Sequence, residues 1–402
     1  MADWTADFVR PGDLVVVAQG VGEPTPLLDQ LLTAAPRDVE VFVGLSHSDA
    51  LTRRSPLPLV SFGAMGPLGR PPNRDQVAVI PCHFDDLPRL LPHRAAGGIV
   101  VLVQVAEQDA RGGHSLGMAV DYTYELTRQA RTVIAEINDQ LPVTSAPRLP
   151  GSAFDAVVRT SRPLPTIATP AVGEVHRRIA ARVIDLIPDG ATIQLGIGAV
   201  PSAIGSALTT RRGLAVRSTL VGDWLLDLAE AGALREQPGS VVISEAAGSP
   251  ELYKFVATSP VWVRPVADVV GPAAAGTIDT FVAVNSALQV DLTGQVNAEE
   301  TARAYVGGIG GHAEYLRAAQ RCAGGLSIVA MPATAGDPRR SRIVRRLEPG
   351  TVTTARSGVD LVVTEFGVAD LRGRSLQERT ELMISIAAPS HREALRAQEG
   401  RK

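Results

Sequence analysis

The residues best placed to do chemistry in this chain are a glycine run, the histidine behind it and a glutamate closing an apolar stretch. Gly307-Gly308-Ile309-Gly310-Gly311 puts four glycines in five positions. Without Cβ atoms, their N–H groups can approach an anion or a polarised carbonyl. Gly308, Gly310 and Gly311 are therefore candidate ligand-binding residues, with a flexible loop tip as the competing reading. His312 follows directly and is a candidate general base on water, since imidazole titrates near neutrality. Its alternative is a solvent-facing position at a helix start. Glu245 lies in Ile243-Ser244-Glu245-Ala246-Ala247. Burial there would raise its pKa and suit it to acid–base or nucleophilic work, whereas a solvated strand end would leave it idle.

Other combinations carry less. Cys82 and His83 are adjacent, so on a strand they face opposite sides and make no dyad. Ser115 and Ser218 lack a GxSxG elbow, and Asp223 reads as a cap or turn residue. The 7 histidines show no HExxH or other metal spacing, so no metal is expected.

The elements that must position these residues form a repeated unit. Gly12 to Gly22 reads as a turn, a buried strand and a Gly-x-Gly loop, with a helical stretch from Pro24 to Thr33. Asp189 to Gly198 repeats the pattern, with a helical stretch from Pro201 to Leu208. This places Gly196 and Gly198 where Gly20 and Gly22 stand and predicts two similar α/β domains in tandem. Neither copy is GxGxxG, so a dinucleotide site is disfavoured. Short Val/Ile runs at Val39–Val43, Val77–Pro81, Gly98–Val105, Thr132–Ile137, Ser240–Ser244, Val261–Arg264, Leu326–Met331, Thr351–Thr354 and Val359–Thr364 predict strands of a mostly parallel sheet. Phe281–Val284 and Leu288–Leu292 read as two more extended segments. Pro163 to Pro170 reads as an interdomain linker, and Gln377 to Arg396 as a helical tail.

The 402 residues are 45% hydrophobic and 20% charged, with a formal net charge of −3. That is an ordinary globular composition with no general attraction to nucleic acid. Aromatic residues make up only 4%, which disfavours a base-stacking surface. Two cysteines cannot make a disulfide framework, and a cytoplasmic location is expected. The acidic start MADWTADFVR has no apolar core and is not read as a signal peptide. The apolar runs are too short to span a bilayer.

Several of these stretches resemble one family in order and spacing. VNSALQVDLTGQVNAE (284–299) followed by GGIGG resembles a signature of the acetyl-CoA hydrolase/transferase family. Gly248-Ser249-Pro250-Glu251-Leu252-Tyr253 and Val363-Thr364-Glu365-Phe366-Gly367 resemble further family signatures. The resemblance implies two tandem open α/β/α domains of the CoA-transferase type, at 1–165 and 171–402, with the site in the cleft between them. It implies acyl-CoA as substrate, no permanently bound cofactor, a small-molecule acceptor or water as partner, and a homodimer or homo-oligomer. Arg342, in the cluster Arg339, Arg340, Arg342, Arg345 and Arg346, is the expected contact to CoA phosphates. Gly310 and Gly311 are expected to stabilise an oxyanion.

In that family a glutamate attacks the thioester, within a motif like G-[LI]-x-[IV]-[HY]-[ST]-E-x-x-x-D-G. The matching stretch here, Gly213 to Trp224, carries Thr219 at that position. A hydroxyl cannot form the acyl-glutamyl anhydride. Val270 stands where the family often has an asparagine. Three functions follow from this pattern: an acyl-CoA enzyme working by direct transfer or hydrolysis, a silent CoA-binding subunit, or an ordinary transferase aligned differently at Thr219.

Overall fold

The computed structural model describes residues 4–47, 49–270, 278–336 and 340–397. The expectation on Arg339 lies outside the described residues. Packing divides the chain into two compact units. The first contains Met1–Ala168, Val241–Gly271 and Tyr305–Gly310; the second contains Thr169–Ser240, Pro272–Ala304 and Gly311–Lys402. The division first falls in the Pro-rich coil expected as a linker, and the excursions 241–271 and 305–310 then go with the N-terminal unit.

The first unit is built on a parallel sheet of seven strands: β1 (Asp13–Val17), β2 (Glu40–Val43), β3 (Leu59–Ser61), β4 (Val77–Val79), β5 (Gly98–Val105), β6 (Thr132–Asn138) and β7 (Ala156–Thr160). Their spatial order is β4-β3-β2-β1-β5-β6-β7. Asp13-Leu14-Val15-Val16-Val17 is buried at every position, as β-branched side chains in a strand covered on both faces must be. Leu27, Leu28 and Leu31 of helix α1 (Thr25–Ala34) pack on this sheet with Val15, Val41 and Leu102. Each such fully buried side chain stabilises the fold by about 1.5–3 kcal/mol.

The second unit repeats the plan. Its strands β8 (Thr192–Leu195) and β9 (Ala215–Val221) precede the first unit's excursion, which carries the parallel pair β10 (Val241–Ala246) and β11 (Val261–Val263). The second unit then continues with β12 (Phe281–Asn285), β13 (Leu326–Ala330), β14 (Leu361–Thr364) and β15 (Gly367–Asp370). The order β9-β8-β12-β13-β14 matches β2-β1-β5-β6-β7, all parallel, and β15 adds an antiparallel edge. The turns Gly20–Gly22 and Gly196–Gly198 thus follow equivalent central strands. Helix α2 (Ala199–Ala207) follows the second of these turns, and α3 (His312–Arg321) packs Tyr315 and Leu316 into the core.

The tail forms two helices, Leu376–Ile386 and Pro389–Arg396. The first is capped by Ser375 and Glu378 in reciprocal hydrogen bonds, the S-x-x-E arrangement that satisfies exposed N–H groups at a helix start. Thr351–Thr354 is not a strand: among the described residues its only ladder contact is an isolated bridge from Thr354 to Val296. Among the described residues no helix is long and apolar enough to cross a membrane.

Candidate active site

Glu245 is the next-to-last residue of β10, inside the first unit, and is 4% exposed, so it is not a solvated strand end. Its carboxyl accepts from the Gln19 side-chain amide at 3.1 Å and from the Val21 N–H at 3.3 Å. The Gly20 turn makes room for it. Gly20 has φ +61°, and a Cβ there would lie 1.5 Å from Glu245 Oε1. Gln19 also donates its backbone N–H to Asp121 at 2.6 Å and accepts from the Leu45 N–H at 3.2 Å. Asp121, itself buried, accepts further bonds from the N–H and hydroxyl of Thr123. Gln19 thus bridges two buried carboxyls. Burial first, and then the charge of Asp121, push the Glu245 pKa up to about 8; burial raises Asp121 as well. At neutral pH Glu245 therefore holds its proton and can give one up; it is not an ionised nucleophile.

The hydroxyl of Tyr122 donates to the Val17 carbonyl at 2.8 Å and accepts the Gly44 N–H at 3.1 Å. Asp121 and Tyr122 also line a cavity of about 530 Å³ with Phe84, Arg89, His93 and Glu125. Behind the turn, the Gln104 side chain donates to the Val21 carbonyl at 3.2 Å, and Arg162 donates to the Glu23 carbonyl at 2.8 Å while pairing with Glu136 through two nitrogens. The turn is held on both sides.

The glycine run divides by role. Gly307 and Gly308 lie on the Phe62–Ala64 backbone: the Ala64 N–H donates to the Gly307 carbonyl at 3.0 Å, and a Cβ on Gly63 would come within 2.4 Å of that oxygen. A Cβ on Gly308 would meet the Phe62 carbonyl at 3.0 Å. These glycines serve close backbone approach. Gly310 is different: its φ is +53°, a Cβ there meets no described residue within 4 Å, and its carbonyl accepts the Phe84 N–H at 3.1 Å beside His83. Gly311 caps α3 by accepting the Tyr315 N–H at 3.0 Å. Cys82 is buried and its thiol is pushed up to about 12, which removes thiolate chemistry at neutral pH.

In the second unit Thr219 sits near the end of β9. Its N–H donates to the hydroxyl of buried Tyr315 at 2.7 Å. Among the described residues nothing lies within 4 Å of a Cβ on Gly196, and a Cβ on Gly198 meets Pro201 Cδ at 4.0 Å. The Gly196 carbonyl accepts from the Trp224 indole at 3.0 Å. The two equivalent turns therefore differ: Glu245 occupies the first, and no described residue fills the second at Gly196.

His312 is 8% exposed rather than solvent-facing. Its Nδ1 meets the Thr354 hydroxyl at 2.9 Å and its Nε2 the Ser286 carbonyl at 3.1 Å. A carbonyl only accepts, so Nε2 carries the proton and Nδ1 accepts from Thr354. Burial lowers its pKa to about 4. Both nitrogens are engaged, and the ring pins α3 to the turn after β12. Arg342 is half-buried near Glu365, with its guanidinium 3.4 Å from the Ala287 carbonyl. Among the described residues no cluster of three or more His, Cys, Asp or Glu side chains is placed to hold a metal ion.

The family model for the acetyl-CoA hydrolase/transferase C-terminal domain matches residues 248–399. The 4-hydroxybutyrate coenzyme A transferase of Clostridium kluyveri is 35% identical over 399 residues, covering 95% of this chain and 92% of that protein. This chain belongs to the acetyl-CoA hydrolase/transferase family. Two solved structures share its fold. RipA from Yersinia pestis superposes with a TM-score of 0.85 at 29% identity, covering 98% of this chain and 94% of that one. A 4-hydroxybutyrate CoA-transferase from Porphyromonas gingivalis does so with a TM-score of 0.80 at 30% identity and the same coverage.

Within this family member, sequence reasoning missed Gln19, Asp121 and Tyr315. Asp121 carries a weak local signal, since Asp121-Tyr122-Thr123 reads as a helix cap. Gln19 and Tyr315 carry none, because each meets its partner far along the chain.

Proposed function

We propose that this chain acts on acyl-CoA thioesters, as an acyl transferase or thioester hydrolase, without a glutamyl-CoA intermediate at residue 219. The observation that supports this is the pair Thr219–Tyr315. The family's motif puts a carboxylate at that position, and here two hydroxyl-bearing side chains meet, with the Thr219 N–H on the Tyr315 hydroxyl at 2.7 Å. Burial holds the Tyr315 phenol well above its usual pKa, so it stays a neutral hydrogen-bonding group. Direct attack by water or by a nucleophilic small-molecule acceptor on the thioester carbonyl then replaces the two-step covalent route. The carbonyl carbon gains the new bond, and the C–S bond breaks as the CoA thiolate leaves and is protonated.

His312 is a positioning group in this reading, because neither of its nitrogens is free to take a proton. Glu245 is suited to donate rather than accept one. The open Gly196–Gly198 turn and half-buried Arg342 are the second unit's candidates for holding the CoA moiety.

Incubation with a panel of acyl-CoAs, then borohydride or hydroxylamine, tests the reading by mass spectrometry. Turnover is expected with no mass change on the peptide containing Thr219. A CoA adduct on any glutamate overturns it. CoA binding with no turnover across the panel leaves the silent binding role instead. Thr219→Glu is expected to restore slow CoA transfer, incompletely, because positioning errors of about 1 Å can cost on the order of 10²-fold.

A further inference from the structure

Chain order reverses in the second unit between β8 and β12, with β9 beyond β8 on one side and β13 beyond β12 on the other. Loops at such a point leave in opposite directions and open a crevice at the carboxyl ends of the strands. Gln194 stands one residue before the end of β8 and Asn285 is the last residue of β12. Gln194 is opposite Ala283 in register and 3% exposed. The Asn285 Nδ2 donates to Gln194 Oε1 at 3.0 Å. The crevice rim is the Gly196 turn, where no described residue lies within 4 Å of an added Cβ.

One hydrogen bond between two amides leaves an NH₂ group on one and an oxygen on the other. Here these are the Gln194 Nε2 and the Asn285 Oδ1, which have no other protein partner among the described residues. Flipping both amides exchanges the roles but leaves the same complement, one donor and one acceptor. The pair is also fixed in place. The turn after Asn285 is held by His312 on the Ser286 carbonyl at 3.1 Å and by Arg342 on the Ala287 carbonyl at 3.4 Å.

A donor beside an acceptor complements a secondary amide. A carboxylate or phosphate, which only accepts, would set its charge against the amide oxygen. We propose that Gln194 and Asn285 bind a secondary amide of the substrate's pantetheine arm. This rests on the acyl-CoA reading above and makes the pair a determinant of specificity for CoA over shorter thiols.

Calorimetric binding of CoA and of adenosine 3′,5′-bisphosphate, the nucleotide half without the arm, separates the outcomes. Asn285→Leu is expected to weaken CoA about 3- to 10-fold, the worth of one neutral hydrogen bond, with nucleotide affinity unchanged. Asn285→Ala, at a half-buried position, serves as a second variant, and thermal melts confirm that both fold. Unchanged CoA affinity, or equal losses for CoA and the nucleotide, overturns the inference alone. A wild-type protein that binds no CoA overturns the acyl-CoA reading and this inference with it.

Discussion

Glu245→Gln should flatten the pH dependence of stability above neutrality. The wild-type carboxyl has a folded-state pKa of about 8 against an ordinary value of 4.5, so between these values the folded chain keeps a proton that the unfolded chain releases. Stability therefore falls as pH rises through this window and levels off above about pH 8. Each full proton of difference is worth about 1.4 kcal/mol per pH unit, so from pH 6.5 to 8 the loss from Glu245 is about 1.5–2 kcal/mol. The window starts at 6.5 because His312 has the opposite sign. Its folded pKa is depressed to about 4 from 6.5, so its stabilisation is complete above 6.5 and is lost as pH falls towards 4. Asp121, raised in the same direction as Glu245, remains in the variant and sets the residual slope. Urea titrations followed by circular dichroism at pH 6.5, 7.25 and 8 measure the difference. Wild type and Glu245→Gln with parallel pH profiles would refute a buried, protonated Glu245.

Gly20→Ala should destabilise by about 3–4 kcal/mol, combining a left-handed backbone cost of roughly 1–2 kcal/mol with two displaced hydrogen bonds of about 1 kcal/mol each. In a Glu245→Ala background the same change should cost about 2 kcal/mol less; coupling below about 0.5 kcal/mol in a urea double-mutant cycle would show that the carboxyl does not fill the turn. His312→Ala should lose about 2–3 kcal/mol by leaving the Ser286 carbonyl and the Thr354 hydroxyl without the ring. If His312 positions rather than reacts, His312→Gln should recover most of the turnover of any acyl-CoA the wild type uses; a loss with Gln as deep as with Ala would instead mark the imidazole as the base.

Much of the fold was legible because buried parallel strands advertise themselves. Gly98-Ile99-Val100-Val101-Leu102-Val103-Gln104-Val105 was expected as a strand over the same residues observed. Leu59–Ser61 was not anticipated, since three residues between proline and phenylalanine carry no period. Thr351–Thr354 misled in the other direction: β-branched threonines suit an extended chain, but here Thr354 uses its hydroxyl on His312 and its backbone on Val296. The candidate site was legible in its residue types and not in its protonation. Glu245 and His312 were both visible as titratable groups, but their burial depends on Gln19, 226 positions from Glu245, and on Thr354, 42 positions from His312. Nothing local encodes either contact.

The interleaving of the two units has a consequence for how the protein is made. The chain passes between them at 168/169, 240/241, 271/272, 304/305 and 310/311. Domains of long chains generally fold as units as they leave the ribosome, N-terminal first. Here the first unit cannot do so when its own long segment ends at residue 168. Until residue 245 emerges, the Gly20 turn has a void where a carboxyl belongs, and Gln19 has an unmatched amide. Until residue 310 of 402 emerges, the Ala64 and Phe84 N–H groups lack the carbonyls they bond. The nascent N-terminal sheet must wait with these contacts unmade while much of the second unit is synthesised, so neither unit corresponds to a fragment that can be cut from the gene in one piece.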